Sequence, residues 1–388
     1  MALAPEPAEI CNNSFHAGGL PFKIVGANNY YLAFATEPMR RAVLGAAKEI
    51  GLNVLRAPAY LDCKTAGRGA IPEGTWRGVY FQYWNSETNR PEVNSGENGL
   101  ERLDHLIADA EQAGIRLILP LINYWPDFGG MDRYVAWFHG ESRHEFYRNP
   151  KIREAYQSYV GQILARKNTV TGRFYKNEPA ILAWELANEP RCDTRDGGRV
   201  LLEWVQTMSR WVKQNDPNHL LGVGDEGYFA KGSGELYDGR HGVDCDAFLE
   251  VPEIDFGTFH LYPQIWRKKD GISFGLRWIE QHLRAGEILG KPMILEEYGI
   301  MQGGPRGLPS VAQRDSVYRA WLRSILVQEG AGDLAWMLAS TDDQTAKPYE
   351  DYDHYTFHSA ADVPSIAEHA YEMINGAPDE APAAETTG

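Results

Sequence analysis

Glu49-Ile50-Gly51-Leu52-Asn53-Val54-Leu55-Arg56-Ala57-Pro58 reads as a helix end, a turn and a buried strand in one run. Gly51 supplies the left-handed residue on which a helix stops before the chain enters a sheet. Val54-Leu55 continues as the short apolar run of a strand covered on both faces. The same grammar returns at Gln112-Ala113-Gly114-Ile115-Arg116. Working outward, strand-like runs fall at 22–27, 53–57, 116–122, 181–186, 220–225, 256–260, 293–297 and 334–338. Amphipathic helical patterns lie between them at 37–50, 99–113, 151–166, 198–215, 274–289 and 311–329. Strands alternating with helices, with no break in composition, predict an α/β fold: a single (β/α)8 TIM barrel over residues 20–375. An open doubly wound sheet would need a glycine-rich phosphate turn after the first strand, and Gly26-Ala27-Asn28-Asn29 is not one. Residues 1–19 read as an N-terminal extension, and the Ala/Pro/Glu-rich 376–388 as a disordered tail.

Long insertions follow predicted strand ends at 61–96, 124–149 and 229–253, where βα-loops build the working face of a barrel. The chain of 388 residues carries a net charge of −15, which argues against a nucleic-acid or anionic-membrane partner. No run of apolar residues reaches the length of a membrane span. A neutral substrate fits the charge; no partner-specific surface is read from it, and a monomer is expected. Aromatic residues reach 12%, with 11 Trp and 20 Tyr, enough to furnish a sugar-stacking cleft as well as a core. Cys11, Cys63, Cys192 and Cys245 lie far apart with no CxxC pair, so no zinc site is expected. A Cys192–Cys245 disulfide is the preferred pairing, since both fall in predicted loops on one face. The opening residues have neither a basic nor an apolar region. Two expectations follow: a cytoplasmic protein, or a secreted or periplasmic one whose leader has been replaced by an initiator Met.

Two strings then place a carboxylate just past an apolar run: Trp184-Glu185-Leu186-Ala187-Asn188-Glu189-Pro190 and Ile294-Leu295-Glu296-Glu297-Tyr298-Gly299. Glu189 ends the fourth predicted strand and Glu297 the seventh, which face each other across a barrel. A buried ionised carboxylate is costly unless paired or used. Two of them across one cleft are the minimum equipment for glycosidic cleavage, and retention of configuration needs them roughly 5–5.5 Å apart. The acid of such a pair must have a raised pKa, and the nucleophile must stay ionised beside a cation. Arg56, ending the second strand, is the natural cation.

These strings, with Asp255-Phe256-Gly257-Thr258-Phe259-His260-Leu261-Tyr262-Pro263, resemble glycoside hydrolase family 5 and more narrowly its β-mannanase branch, over about residues 20–375. The resemblance implies a retaining hydrolase of β-1,4-mannosidic bonds in mannan, glucomannan or manno-oligosaccharides, with no cofactor or metal. It implies Glu189 as acid/base, Glu297 as nucleophile and Asn188 as partner of the sugar 2-hydroxyl. Arg56 would hold Glu297, His260 and Tyr262 would line the cleft, and Trp336 would floor the −1 subsite. Arg191 and Glu226 would serve the leaving-group side, and Asn123 and Trp125 match a cleft-lining Asn-x-Trp. Trp336-Met337-Leu338 departs from the Gln that many mannanases carry there. Extended loops at 76–98 and 229–246 leave open endo action, an exo-acting β-mannosidase and an endo-β-1,4-glucanase. A non-catalytic polysaccharide-binding barrel would have no need of both glutamates.

Plainer readings compete at several positions. Glu185 reads as a structural partner in a buried pair, and Glu296 as a structural residue on the face opposite Glu297. Trp76, Trp84, Trp137 and Trp266 serve equally as distal sugar platforms or as packing. His139, His144, His354 and His358 show no metal-ligand spacing.

Overall fold

The computed structural model describes residues 6–67, 70–349 and 351–376. All eight predicted strands form, as β1 (Ile24–Asn28), β2 (Val54–Arg56), β3 (Arg116–Pro120), β4 (Ile181–Glu185), β5 (Leu220–Gly222), β6 (Gly257–Leu261), β7 (Met293–Tyr298) and β8 (Gly332–Ala335). They pair in parallel in the order β5-β4-β3-β2-β1-β8-β7-β6. The remaining seam, β5 to β6, closes through single bonds: Asp255 N to Leu221 O at 2.8 Å, and His260 N to Glu226 O at 3.2 Å. The result is a nearly closed (β/α)8 barrel.

Six helices follow the sequence grammar closely: α1 (Glu37–Ile50), α2 (Glu101–Ala113), α3 (Pro150–Leu164), α4 (Gly197–Asn215), α6 (Gly271–Leu289) and α7 (Val311–Val327), while α5 (Cys245–Leu249) and α8 (Pro364–Asn375) lie outside the expected patterns. Helix α1 starts on Thr36, whose hydroxyl accepts from Met39 N, and stops on Gly51 at φ 93°. Val43, Leu44, Ala47 and Ile50 form its buried stripe against the strands.

Several elements went unread, among them helices at Gly130–Trp137 and Glu145–Arg148. The expected extension forms antiparallel strands at Ala8–Cys11, Ser14–Ala17 and Leu20–Pro21. Phe15 and Ala8 from this hairpin pack on Ile24, Val54, Ile118, Leu220, Phe256 and Ile294 and so plug the barrel floor. Within the loop after β2, Asp62–Ala66, Gln82–Asn85 and Arg90–Val93 make a second small sheet. Helix α8 closes the ring between α7 and α1. The tail expected at 376–388 lies, apart from Gly376, outside the described residues.

The Cys192–Cys245 pairing is not made: all four cysteines are free. Cys192 Sγ turns to Thr194 Oγ1 at 3.5 Å, while Cys245 is buried in the first turn of α5. Among the described residues no helix is long and apolar enough to cross a membrane.

Candidate active site

The C-terminal mouth of the barrel opens into a cleft of about 1120 Å³. Its walls include Arg56, Asn123, Trp125, Asn188, Glu189, Arg191, Glu226, Tyr262, Glu297 and Trp336. Ten of the eleven residues singled out in the sequence therefore meet on one surface.

Local backbone explains how the two glutamates arrive there. Beyond β4 the chain stays tied to its neighbours: Asn188 N to Ile122 O at 2.7 Å and Glu189 N to Gly224 O at 2.7 Å. Glu189 turns there with φ 49°. Gly224, at φ +80°, lets the strand-five segment pass beneath this turn, since a Cβ would sit 2.1 Å from Ala187 O. On β7 the register shifts: Phe259 faces Leu295, but His260 faces Glu297. Glu296 is thus an extra residue, a β-bulge.

That bulge corrects one expectation. Glu296 does not lie on the opposite face from Glu297; both carboxylates turn into the barrel. Glu296 Oε2 lies 3.4 Å from Arg56 Nη2 and 3.3 Å from His260 Nε2. Strict alternation fails there because the bulge spends one residue without a partner.

Around Glu297 the donors converge. Arg56 Nη1 donates to Oε1 at 2.7 Å, and Tyr262 OH donates to Oε2 at 2.8 Å. Arg56 also donates through Nε to Glu185 at 2.9 Å and through Nη2 to Asn188 Oδ1 at 2.9 Å. Glu185 is thereby the buried pair partner expected of it. Asn188 Nδ2 donates to Asn123 Oδ1 at 3.0 Å. Asn123 braces Asn188 as well as lining the cleft.

Glu189 sits among different partners. Trp125 Nε1 donates to Oε2 at 2.5 Å, and His260 Nδ1 lies 2.7 Å from Oε1. His260 is not a cleft wall, contrary to expectation; it is wholly buried behind both glutamates. Arg191 pairs with Glu226 through two bonds of 2.6 Å and lies over the Trp125 ring at 5.0 Å. Tyr228, which the sequence did not flag, donates to Glu226 Oε1 at 2.5 Å. Its only signal was its place two residues past Glu226. Trp336 donates from Nε1 to Asp353 at 2.7 Å and stacks with Tyr30 at 6.4 Å. Of the further tryptophans, Trp266 lines the cleft and Trp137 is core, while Trp76 packs on Phe128 and Trp84 on Phe138.

Donor atoms of Glu189, His260 and Glu297 all lie within 4.8 Å of one another. Each is already engaged by Trp125, Glu296 or Arg56, so the trio reads as a carboxylate pair with its histidine. Burial alone would lower the His260 pKa, but Glu297, Glu189 and Glu296 outweigh it and hold the imidazolium well above its usual range. Burial would raise Glu189, yet the His260 hydrogen bond and charge, with Arg191 and Trp125, bring it down to about 2. Glu297 is raised by burial and by Glu189, against the pull of His260 and Arg56. These directions are the reverse of those expected for an acid at Glu189 and an ionised Glu297. The three groups titrate together. The proton an acid would need is held on His260, one hydrogen bond from Glu189. For Glu297 two donors to its carboxylate, one of them Arg56, favour the ionised form.

A nearly closed (β/α)8 barrel with two opposed carboxylates at the mouth, flanked by arginines and indoles, defines a glycoside hydrolase of the two-carboxylate class. A family model described as "GH family 5 beta-mannosidase-like" matches residues 9–344. The chain is 36% identical over 354 residues to mannan endo-1,4-beta-mannosidase F of Aspergillus clavatus, covering 90% of this chain and 74% of that one. The solved endo-1,4-beta-mannanase of Rhizomucor miehei superposes with a TM-score of 0.84 at 32% identity, covering 95% of this chain and 99% of that one. The endo-beta-1,4-mannanase of Thermotoga petrophila gives a TM-score of 0.79 at 36% identity, over 93% of this chain and 78% of its own. The chain belongs to glycoside hydrolase family 5, in its β-mannanase branch.

Proposed function

We propose that this protein is an endo-acting β-1,4-mannanase that cleaves by double displacement with retention. The observation carrying the reading is the pair Glu189 and Glu297, with oxygens within 4.8 Å across the barrel mouth. That spacing suits direct attack and leaves no room for the intervening water of an inverting enzyme. Relatives named as mannan endo-1,4-beta-mannosidases support the substrate class.

Glu297, braced by Arg56 and Tyr262, attacks the anomeric carbon and forms a covalent glycosyl-enzyme. Glu189 protonates the departing oxygen, then takes a proton from water as the intermediate is hydrolysed. His260 supplies the acid's proton across its 2.7 Å contact with Glu189. Asn188, held by Arg56 and Asn123, presents its amide to the sugar 2-hydroxyl. Arg191 and Glu226 face the leaving group, and Trp336 stacks beneath the sugar ring. The test is product analysis on mannan, glucomannan and cellulose at early times. Mixed oligosaccharides from mannan are expected; mannose alone would mean exo action, and preferential attack on cellulose a glucanase. Glu297→Ala should abolish turnover in a folded protein that still binds manno-oligosaccharide, and substantial residual rate would overturn the nucleophile.

A further inference from the structure

Beneath the catalytic pair lies a second pair of carboxylates that the mechanism above does not use. Glu185 on β4 and Glu296 on β7 are both wholly buried. Arg56 bridges them, through Nε to Glu185 Oε2 at 2.9 Å and Nη2 to Glu296 Oε2 at 3.4 Å. The other oxygen of each, Glu185 Oε1 and Glu296 Oε1, is buried without a hydrogen-bond partner. Two ionised carboxylates, each leaving a buried oxygen unpaired in the barrel interior, would be a severe cost. The two groups lie within hydrogen-bonding reach of each other, so one shared proton satisfies both.

The surroundings say which group carries it. Glu296 faces two cations, Arg56 and His260, and His260 Nε2 lies 3.3 Å from its Oε2. Glu185 faces Arg56 alone. We propose that Glu185 is a neutral acid donating its proton to Glu296 Oε1, and that this pair is the positioning unit that keeps His260 charged beneath Glu189. The chain of contacts runs Glu185, Glu296, His260, Glu189, from the barrel interior to the cleft. The opposed pKa directions agree: burial raises Glu185 well above the carboxylate range, while Arg56, the Glu185 hydrogen bond and His260 outweigh burial and lower Glu296. Other groups facing the pair are Glu297, Asn28, whose amide donates to Glu296 O at 2.8 Å, and Asp225, raised to about 7 by burial. With Glu185 neutral, three carboxylates face two cations. One net negative charge then remains to meet the positive charge that develops on the sugar in the transition state.

The kinetic half of the test rests on the hydrolase reading; the spectroscopic half stands without it. Glu185→Ala should deprive Glu296 of its donor, so that Glu296 takes up the proton and ceases to hold His260 charged. The alkaline limb of kcat/KM then moves to lower pH by about one unit. Glu185→Gln should restore the limb, because a carboxamide donates to Glu296 and accepts from Arg56 as the neutral acid does. If Glu185→Gln shifts the limb as Glu185→Ala does, Glu185 is an ionised counter-ion and the proposal fails. Infrared difference spectra at neutral pH provide the second arm, wild type minus Glu185→Gln. A protonated-carboxyl C=O band present in the wild type and missing in the variant is expected; no such band overturns the assignment whatever the protein hydrolyses.

Discussion

The indole of Trp125 does more at Glu189 than shape a wall. Its N–H bond of 2.5 Å favours the ionised carboxylate and so opposes the form an acid needs. Trp125→Phe keeps an aromatic face and removes that donor. The Glu189 pKa should rise, and the alkaline limb of kcat/KM should move up by about one pH unit, since a hydrogen bond to a charged group is worth roughly 1.5–3 kcal/mol before compensation. A limb that stays in place would mean His260 alone governs the acid. At this scale the site was legible because each functional residue sits in a short string at a strand end. Arg56, Glu189 and Glu297 follow apolar runs, and strand geometry delivers them to one mouth. Glu296 was misread because alternation holds only in regular strands, and a bulge is set by the neighbours' register, which a single strand's residues do not encode. His260 was placed in the wall because the string says where a residue ends up along a strand, not how deep its side chain sits. The reversed electrostatics of Glu189 and Glu297 were also out of reach, since they depend on three groups brought together from different strands.

Among the elements, strands and helices were read well and connections poorly, for one reason. Barrel strands are covered on both faces and helices on one, so burial writes a pattern. The hairpin strand Ser14–Ala17 buries Phe15 alone, and Arg90–Val93 buries nothing fully, so neither leaves a period to read. The turn at 187–189 shows what an element boundary contributes to chemistry. Gly224 lets the strand-five segment accept Glu189 N–H while clearing Ala187 O by a distance no Cβ tolerates. Gly224→Ala should cost about 1–3 kcal/mol through overpacking, with added strain from its positive φ. It should also lower kcat by about ten- to a hundredfold, because a displacement near 1 Å at the acid suffices for that. Thermal melts and kcat on the same preparation check both; an unstable variant with full kcat would show that the turn does not position Glu189.

At the scale of the whole molecule, stability and catalysis occupy opposite ends of one barrel. The mouth concentrates buried charge, and the floor is apolar and sealed by the N-terminal hairpin. No covalent staple ties the two: Cys11, Cys63, Cys192 and Cys245 are free. Reductant should therefore leave the Tm unchanged, and a thiol titration of unfolded, unreduced protein should find all four; a drop in Tm on reduction would reinstate a disulfide. What holds the floor is packing. Phe15 is buried to within 1% and meets the Phe256 ring edge-on at 5.6 Å, against residues from several strands. It packs on the entering ends of the strands, whereas Glu297 lies near the exit end of β7 and Glu189 four residues beyond β4. Phe15→Ala should thus cost about 3–5 kcal/mol by emptying the floor. Below the melting transition, KM and kcat on manno-oligosaccharide should match the wild type. A loss of kcat without a loss of stability would mean that strain at the floor travels along the strands to the glutamates, and that the two ends are not separable.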